Sequence, residues 1–248
     1  MLNFVKRGIE QLFWKAGYEL VPSYRAYKAG LRPDIAHLVN SLRLGLVIDV
    51  GANEGQFKKF MRTTVGYSGK IISFEPIPDI VATLIRESKS DPNWQVVPEA
   101  LGAEKANLEL NVSARSDFSS FLNLSEKGRE FFDGAQDSKT VSVRVTTLSD
   151  FLCQEKIDAA FFLKLDTQGF DLQVVLGGQA HISSQCALLL CEVSVIPIYD
   201  NQPDWREMIA KLNDMGFDLV GLYPVNRTSN MQAIEFDCLM INKRFLTQ

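Results

Sequence analysis

Short apolar runs alternate with helical patterns along the chain from Leu46 onward. The apolar runs lie at residues 46–50, 70–74, 94–97, 159–165 and 187–193. The helical patterns lie at residues 56–64, 78–89, 170–176 and 203–215. Continuous apolar strands separated by helices are typical of a parallel sheet that is covered on both faces. The alternation therefore predicts an α/β fold with a doubly wound, mostly parallel sheet.

Two segments depart from this alternation. Residues 102–146 contain period-two runs at 108–112 and 140–145, which predict half-exposed strands. The strand-like runs at 217–223 and 234–241 follow one another with no helical pattern between them. Such a pair predicts a terminal antiparallel hairpin, because parallel neighbours need a longer crossover connection.

The chain has 248 residues, a length that a single large α/β domain can account for. We expect an N-terminal helical extension over residues 1–44, followed by the main domain over residues 45–248. A helix is predicted at 33–43 within the extension.

An apolar stripe marks residues 2–17. Its members recur at helical spacing and are Leu2, Val5, Ile9, Leu12, Phe13 and Ala16. Such a stripe predicts a helix that packs on its own domain. Because Lys6, Arg7 and Lys15 are basic, a helix that lies on a membrane surface is the alternative.

Charge and cysteine content narrow the class of protein. The net charge of −4 and pI near 5.3 argue against a nucleic-acid partner, which usually requires a basic face. None of the four cysteines forms a Cys-x-x-Cys pair, and no apolar run approaches the roughly 20 residues of a membrane-spanning helix. We expect free thiols, no transmembrane segment and a cytoplasmic location. The sequence does not distinguish a monomer from a homo-oligomer.

A glycine-containing turn follows the first predicted strand, in the sequence Asp49-Val-Gly-Ala-Asn-Glu-Gly55. Ligands of open α/β sheets bind beyond the carboxyl ends of the strands. Gly51 and Gly55 let the backbone turn tightly beside a ligand, and the next helix offers unpaired amides. This arrangement suits the carboxylate end of an amino-acid-like cofactor, whose amino group Asp49 can meet directly or through water.

An acidic residue, Glu75, ends the second predicted strand. At this position a carboxylate can accept hydrogen bonds from both hydroxyls of a ribose. A dinucleotide enzyme would share this feature. The glycine spacing argues against that alternative, because the third glycine position of such a fingerprint falls on Gln56, which is too large for close helix–strand packing.

The sequences Asp49–Gly55 and Phe74-Glu-Pro76 resemble the first two motifs of class I S-adenosylmethionine-dependent methyltransferases. Three further stretches resemble the FkbM family of methyltransferases, and they lie at residues 99–102, 145–150 and 162–172. The last stretch, with Leu163-Lys-Leu-Asp-Thr-Gln-Gly-Phe170, is the most specific to that family. The resemblance covers roughly residues 44–241 in the family's order.

This resemblance implies S-adenosylmethionine as the cofactor and a seven-stranded sheet that ends in a reversed hairpin. Residues 99–101, at the end of the third strand, would border the adenine, and Asp166 would face the methyl group. Ser119 lies in the irregular segment and is expected to reach the cofactor. The predicted cofactor-binding residues are Asp49, Gly51, Ala52, Asn53, Gly55, Phe57, Glu75, Pro76, Ala100, Leu101, Ser119 and Asp166.

The resemblance further implies O-methylation, of a sugar, a glycan or a small secondary metabolite. A hydroxyl acceptor benefits from a base that takes its proton. Asp166 is the first candidate for that base and Glu192 the second, while Asp166 could alternatively cap the following helix. The family usually has Glu where this chain has Gln168, which removes a charge beside the site. No metal is predicted, although two carboxylates could hold Mg²⁺.

The sequence is also compatible with two other hypotheses of function. The first is a non-catalytic binding module on the same fold, and the second is a methyltransferase of another acceptor class. Acceptor specificity is expected to lie in the N-terminal helices, the 102–146 segment and the 194–204 loop. Plausible contacts in and beside that loop are Tyr199, Asp200 and Trp205.

Overall fold

The computed structural model of the chain describes residues 2–21, 29–113, 118–131 and 138–246. The α-helices are α1 (Leu2–Lys15), α2 (Leu31–Leu42), α3 (Gln56–Phe60), α4 (Pro78–Ser88), α5 (Glu126–Phe131), α6 (Leu148–Gln154), α7 (Asp171–Gln185) and α8 (Trp205–Asp214). A π-helical turn (Met61–Val65) continues α3, and a 3-10 turn (Lys243–Phe245) follows the last strand. The strands are β1 (Leu46–Val50), β2 (Lys70–Phe74), β3 (Trp94–Val97), β4 (Ala100–Leu101), β5 (Ala106–Ser113), β6 (Ser138–Thr146), β7 (Phe161–Leu165), β8 (Cys186–Ser194), β9 (Phe217–Arg227) and β10 (Ala233–Asn242).

Seven strands form the main sheet in the order β3-β2-β1-β7-β8-β10-β9. The first five run parallel, whereas β10 pairs antiparallel with both β8 and β9. The predicted doubly wound sheet and terminal hairpin are thereby confirmed. The strand order reverses between β1 and β7, which is where ligands bind in sheets of this type.

A second sheet of three strands, in the order β4-β6-β5, is built largely from the 102–146 segment. Residues 114–117 and 132–137 of that segment lie outside the described residues. The prediction that residues 99–101 end the third strand is wrong. Strand β3 ends at Val97, and Ala100 instead pairs with Val145 of the second sheet. Pro98 stands between the two strands and cannot donate a hydrogen bond to a strand ladder.

The core lies on both faces of the main sheet, because successive side chains of a strand point to opposite faces. On one face, Ile48 of β1 belongs to an apolar cluster with Leu148 of α6 and Val175 of α7. On the other face, Val47 of β1 clusters with Ile35 of α2. The same alternation directs three polar residues of the inner strands, Asp49, Lys164 and Glu192, to the face of α2.

The two N-terminal helices differ in their packing. Ile35 and Val39 of α2 are buried in the core, whereas Ile9, Leu12 and Phe13 of α1 are 46%, 67% and 41% exposed. The prediction that the α1 stripe packs on its own domain is therefore wrong for these three side chains. Trp14 of α1 contacts α2, since its ring centroid lies 5.9 Å from the guanidinium carbon of Arg32. No helix among the described residues is long and apolar enough to cross a membrane.

Helix α7 is longer than its predicted bounds of 170–176. Gly177 and Gly178 interrupt the apolar pattern, which is why the sequence indicated an end there. In the structure they allow close packing, because a Cβ at Gly177 would lie 1.9 Å from the carbonyl oxygen of Gly102. His181 is consequently part of α7, where its Nδ1 lies 3.0 Å from Ser149 Oγ of α6.

Candidate functional site

A cavity of about 610 Å³ opens at the carboxyl ends of β1, β2 and β7. Its walls include most of the predicted site residues, namely Gly51, Ala52, Asn53, Phe57, Glu75, Pro76, Ala100, Leu101, Ser119, Asp166 and Glu192. Asp49 and Gly55 are not among the lining residues. Asp49 lies fully buried behind the cavity, and Gly55 is buried beside Leu84 and Trp94.

The turn after β1 adopts backbone conformations that favour glycine. Gly51 has φ 75° and Gly55 has φ 72°, both in the left-handed region. A Cβ on Gly51 would lie 2.0 Å from the carbonyl oxygen of Asp166, so this glycine also permits the close approach of the two loops. Asn53 shares the left-handed region with φ 45°, which asparagine tolerates better than most residues.

Glu75 is held at the end of β2 by two backbone amides. Its Oε2 accepts a hydrogen bond from the Asn53 amide at 2.8 Å, and its Oε1 accepts one from the Ile77 amide at 2.9 Å. The residue is only 3% exposed, and burial raises the pKa of its carboxyl group against the effect of these two amides. Glu75 thereby ties the glycine-containing turn to the start of α4 and fixes the cavity wall.

Lys164 forms a buried ion network that sequence reasoning missed. Its Nζ lies 3.1 Å from Asp49 Oδ1 and 3.3 Å from Asp166 Oδ2, and it donates to the Gly51 carbonyl oxygen at 3.2 Å. Although burial favours the neutral amine, the two carboxylates raise the pKa of Lys164 above its ordinary value. Burial raises the pKa of Asp49, and the Lys164 ammonium opposes that shift.

The signal for this network was present in the sequence. Lys164 is the one charged residue of an otherwise apolar strand, and charges in such strands are usually paired. The pairing partner became clear only from the register of the sheet, in which Asp49 lies opposite Lys164. Because Lys164 also lines the cavity, its ammonium stands between the Asp49 carboxylate and the cavity.

Gln168 joins the two carboxylates that were predicted to act as a base. Its Nε2 donates to Asp166 Oδ1 at 2.8 Å and lies 3.3 Å from Glu192 Oε2. Its Oε1 accepts a hydrogen bond from the Tyr199 hydroxyl at 2.8 Å. Its carbonyl oxygen accepts from Ser120 at 2.6 Å, which holds the backbone in the left-handed conformation with φ 53°. The amide therefore supplies hydrogen bonds where the family's usual Glu would bring a third negative charge.

Helix α7 begins beside this group. Asp171 accepts hydrogen bonds from the Thr167 amide at 2.8 Å, from the Thr167 hydroxyl and from the Glu192 amide at 3.3 Å. Burial is the main cause that raises the pKa of Asp171 to about 6. The residue at the helix N-cap position is Phe170, with no side-chain cap, so the alternative that Asp166 caps α7 is wrong.

The far wall of the cavity is acidic. Asn226 of β9 and Glu235 and Asp237 of β10 line it together with Glu192. Burial, followed by the neighbouring carboxylates Glu235 and Asp166, raises the pKa of Glu192 well above its ordinary value. Sequence reasoning missed the three hairpin residues, because the period of a strand does not reveal which loop it faces. Among the described residues, no group of three or more His, Cys, Asp or Glu could hold a metal ion.

Two solved structures of low sequence identity are similar to this chain. A methyltransferase FkbM from Methylobacillus flagellatus KT has a TM-score of 0.50 and 16% identity, over 80% of this chain and 43% of that one. The present chain thus spans less than half the length of that relative. A magnesium protoporphyrin IX methyltransferase from Synechocystis PCC 6803 with bound SAM has a TM-score of 0.46 and 10% identity, over 95% of this chain and 91% of that one.

The sequence itself places the chain in a family. No curated protein matches it. The sequence profile of the methyltransferase FkbM domain, however, matches residues 49–219, which is more than half of the 248 residues. That range begins at Asp49 and includes the glycine-containing turn, Glu75 and the loop from Asp166 to Gln168. The chain therefore belongs to the FkbM family of class I methyltransferases.

Proposed function

We propose that this methyltransferase uses S-adenosylmethionine to methylate a hydroxyl group of a sugar, a glycan or a small hydroxylated metabolite. One observation carries the proposal. The cavity is lined by the glycine-containing turn and Glu75, and also by the Asp166 and Glu192 carboxylates. A cofactor held by the turn and Glu75 would share the cavity with these two carboxylates, whose part of the cavity we name the reacting end.

The residues present fit this cofactor. Asn53 Oδ1 is buried without a hydrogen-bond partner among the described residues, so it can accept from the cofactor's amino group. The Lys164 ammonium lines the cavity and can attract a carboxylate. Glu75 keeps acceptor capacity for ribose hydroxyls, since each carboxylate oxygen has two lone pairs and each receives one amide. Ala100 and Leu101 offer an apolar wall for adenine.

When bound, S-adenosylmethionine supplies an electrophilic methyl group on a positively charged sulfur. The protein must then hold the acceptor oxygen in line with that group, which is mainly a matter of positioning. It must also exclude water and accept the proton of the hydroxyl. Asp166 and Glu192 are the proposed carboxylates for this task, because both line the same part of the cavity.

The acidic wall supports a hydroxylated acceptor. Glu192, Glu235, Asp237 and Asn226 all line it, and the two oxygens of Glu235 already accept hydrogen bonds from Ser194 and Asn226. Carboxylates accept hydrogen bonds, and a molecule with several hydroxyls can donate several of them. The N-terminal extension (residues 1–44) also lines the cavity, through Leu31, Arg32 and Ile35. We propose that it acts with the main domain (residues 45–248) in acceptor selection.

The test is calorimetric titration of S-adenosylmethionine and S-adenosylhomocysteine into the wild type and Glu75→Ala. We expect micromolar binding that the substitution weakens by about 2 kcal/mol or more. Glu99→Ala is the matched control, because Glu99 pairs with Arg144 and does not line the cavity. Circular dichroism would check that both variants fold.

Binding would justify a screen of hydroxylated acceptors with a labelled methyl donor. Absence of binding to the wild type would overturn the proposal. Binding without transfer to any hydroxylated acceptor would favour a non-catalytic module or another acceptor class.

A further inference from the structure

The two carboxylates at the reacting end of the cavity differ in their hydrogen bonding. Both oxygens of Asp166 are engaged, Oδ1 by Gln168 Nε2 at 2.8 Å and Oδ2 by Lys164 Nζ at 3.3 Å. Only Oε2 of Glu192 is engaged, by Gln168 Nε2 at 3.3 Å. Within the described ranges, no group donates a hydrogen bond to Glu192 Oε1. Glu192 therefore has an oxygen that receives no hydrogen bond, whereas each oxygen of Asp166 already has one donor, of which Lys164 is charged.

We propose that Gln168 is a positioning residue that separates the roles of these carboxylates, so that Asp166 is a fixed anionic anchor and Glu192 receives the acceptor's proton. This inference rests on the proposed O-methylation and names its base. In the transfer, the acceptor oxygen forms a bond to the methyl carbon as its proton passes to Glu192. The carbon–sulfur bond breaks, and its electron pair remains on sulfur.

The orientation of the Gln168 amide follows from its partners. Tyr199 is 1% exposed, and its hydroxyl donates to Gln168 Oε1. The NH₂ group must therefore point to Asp166 and Glu192, which as carboxylates can only accept. A Glu at position 168 has nearly the same shape but no donor when ionised. It would bring three carboxylates together where a single amide now bridges two.

The charges around Glu192 suit a proton acceptor. Burial is the main cause that raises the pKa of Glu192. Four neighbouring carboxylates add to this shift, in decreasing order Glu235 from β10, Asp166 from the loop after β7, Asp237 from β10 and Asp171 from α7. Lys164, a cation that lines the same cavity, is paired with Asp49 and Asp166. A base with a raised pKa holds a proton more strongly, and catalysis is most efficient when that pKa approaches the working pH.

The first experiment needs neither cofactor nor acceptor. Urea unfolding midpoints would be measured at pH 5 and pH 8 for the wild type, Gln168→Glu, Glu192→Gln and the double variant. We expect Gln168→Glu to lower the midpoint more at pH 8 than at pH 5, because the added carboxylate is ionised at the higher pH. The double variant exchanges amide and carboxylate, so it should recover part of that loss. Equal losses at both pH values without recovery would overturn the bridging role of Gln168.

The second experiment separates the base from the anchor once an acceptor is known. Glu192→Gln should lower kcat by about 100-fold or more, with the affinity for S-adenosylhomocysteine changed by less than about threefold. Asp166→Asn should retain the wild-type rise of kcat with pH, although its maximum is lower. Tyr199→Phe removes one hydrogen bond to Gln168, so it should have the same kind of effect as a substitution of Gln168 itself, but a smaller one. Loss of the pH dependence in Asp166→Asn and its retention in Glu192→Gln would overturn the assignment.

The two experiments distinguish failure of this inference from failure of the proposed function. If no hydroxylated acceptor is methylated, O-methylation fails, while the unfolding measurements still decide whether Gln168 bridges the carboxylates. If methylation occurs and the unfolding cycle shows no coupling, the function stands and the role of Gln168 is wrong.

Discussion

Lys164 lies directly opposite Asp49 in the parallel register of β1 and β7, and its Nζ is 3.1 Å from Asp49 Oδ1. The Asp49 side chain is fully buried, so each charge depends on the other for its solvation. The pair connects the two strands between which the strand order reverses. It also joins the carbonyl oxygen of Gly51 to the carboxylate of Asp166, which places the glycine-containing turn and the reacting end of the cavity in one network.

Removal of the Lys164 charge should be strongly destabilising. Lys164→Met leaves Asp49 as an unpaired buried carboxylate, which typically costs about 3–5 kcal/mol. Urea unfolding would measure this loss. The double variant Asp49→Asn/Lys164→Met should lose less than the sum of the two single variants. Lys243→Met is the matched control and should change stability by less than about 1 kcal/mol, because Lys243 and Asp218 form an exposed pair. Additive single losses would contradict the coupling.

Asp171 should make the protein less stable as the pH rises from 4 to 7. Its pKa in the folded protein is about 6, which is raised above the ordinary value of 3.8 mainly by burial. The neutral acid is therefore favoured in the folded state, and its contribution is full below the unfolded pKa and is lost as the pH rises through about 6. The loss amounts to about 3 kcal/mol. Urea unfolding of wild type and Asp171→Asn at pH 4, 5, 6 and 7 would test this.

The stability of the Asp171→Asn variant should fall less steeply than that of the wild type between pH 4 and pH 7. Other buried acids with raised pKa values, such as Glu192 and Glu235, remain in both proteins. The difference between the two curves therefore isolates Asp171. Parallel curves would show that Asp171 is not the group that titrates.

Gly51 and Gly66 provide a matched test of the turn after β1. Both have φ 75°, but a Cβ on Gly51 would lie 2.0 Å from the Asp166 carbonyl oxygen, whereas one on Gly66 would meet nothing within 4 Å. Gly66→Ala should cost about 1–2 kcal/mol from the backbone conformation alone. Gly51→Ala should cost more and should also weaken S-adenosylmethionine binding, since the two loops must move apart. Thermal unfolding and calorimetry would measure both effects, and equal costs would contradict the close approach.

The two N-terminal helices should respond differently to substitution. Ile35 of α2 is 1% exposed, so Ile35→Ala should cost about 2–5 kcal/mol. Leu12 of α1 is 67% exposed, so Leu12→Ser should change the free energy of unfolding by less than about 0.5 kcal/mol. Urea unfolding distinguishes the two. A large loss for Leu12→Ser would indicate that the α1 stripe is covered.

Local sequence patterns determined the architecture of this protein. Continuous apolar runs between helical patterns predicted the parallel sheet, and two adjacent runs predicted the hairpin, because burial on both faces and crossover length act on short segments. The motifs around Gly51 and Glu75 predicted six of the residues that line the cavity, namely Gly51, Ala52, Asn53, Phe57, Glu75 and Pro76. The same reasoning failed for α7, where two glycines that resemble a helix end instead allow close packing on Gly102.

Only the tertiary structure decided how the polar groups are paired. Asp49 and Lys164 are more than 100 residues apart, and their contact depends on the register of β1 and β7. In the sequence, Gln168 is recognisable only as a residue that lacks the charge of the family's usual Glu. In the fold it donates hydrogen bonds to Asp166 and Glu192. Glu235 and Asp237 reach the same cavity from β10. These relationships join distant strands, and a protonation state or an ion pair is set by every charge within a few ångströms, whatever its distance along the chain.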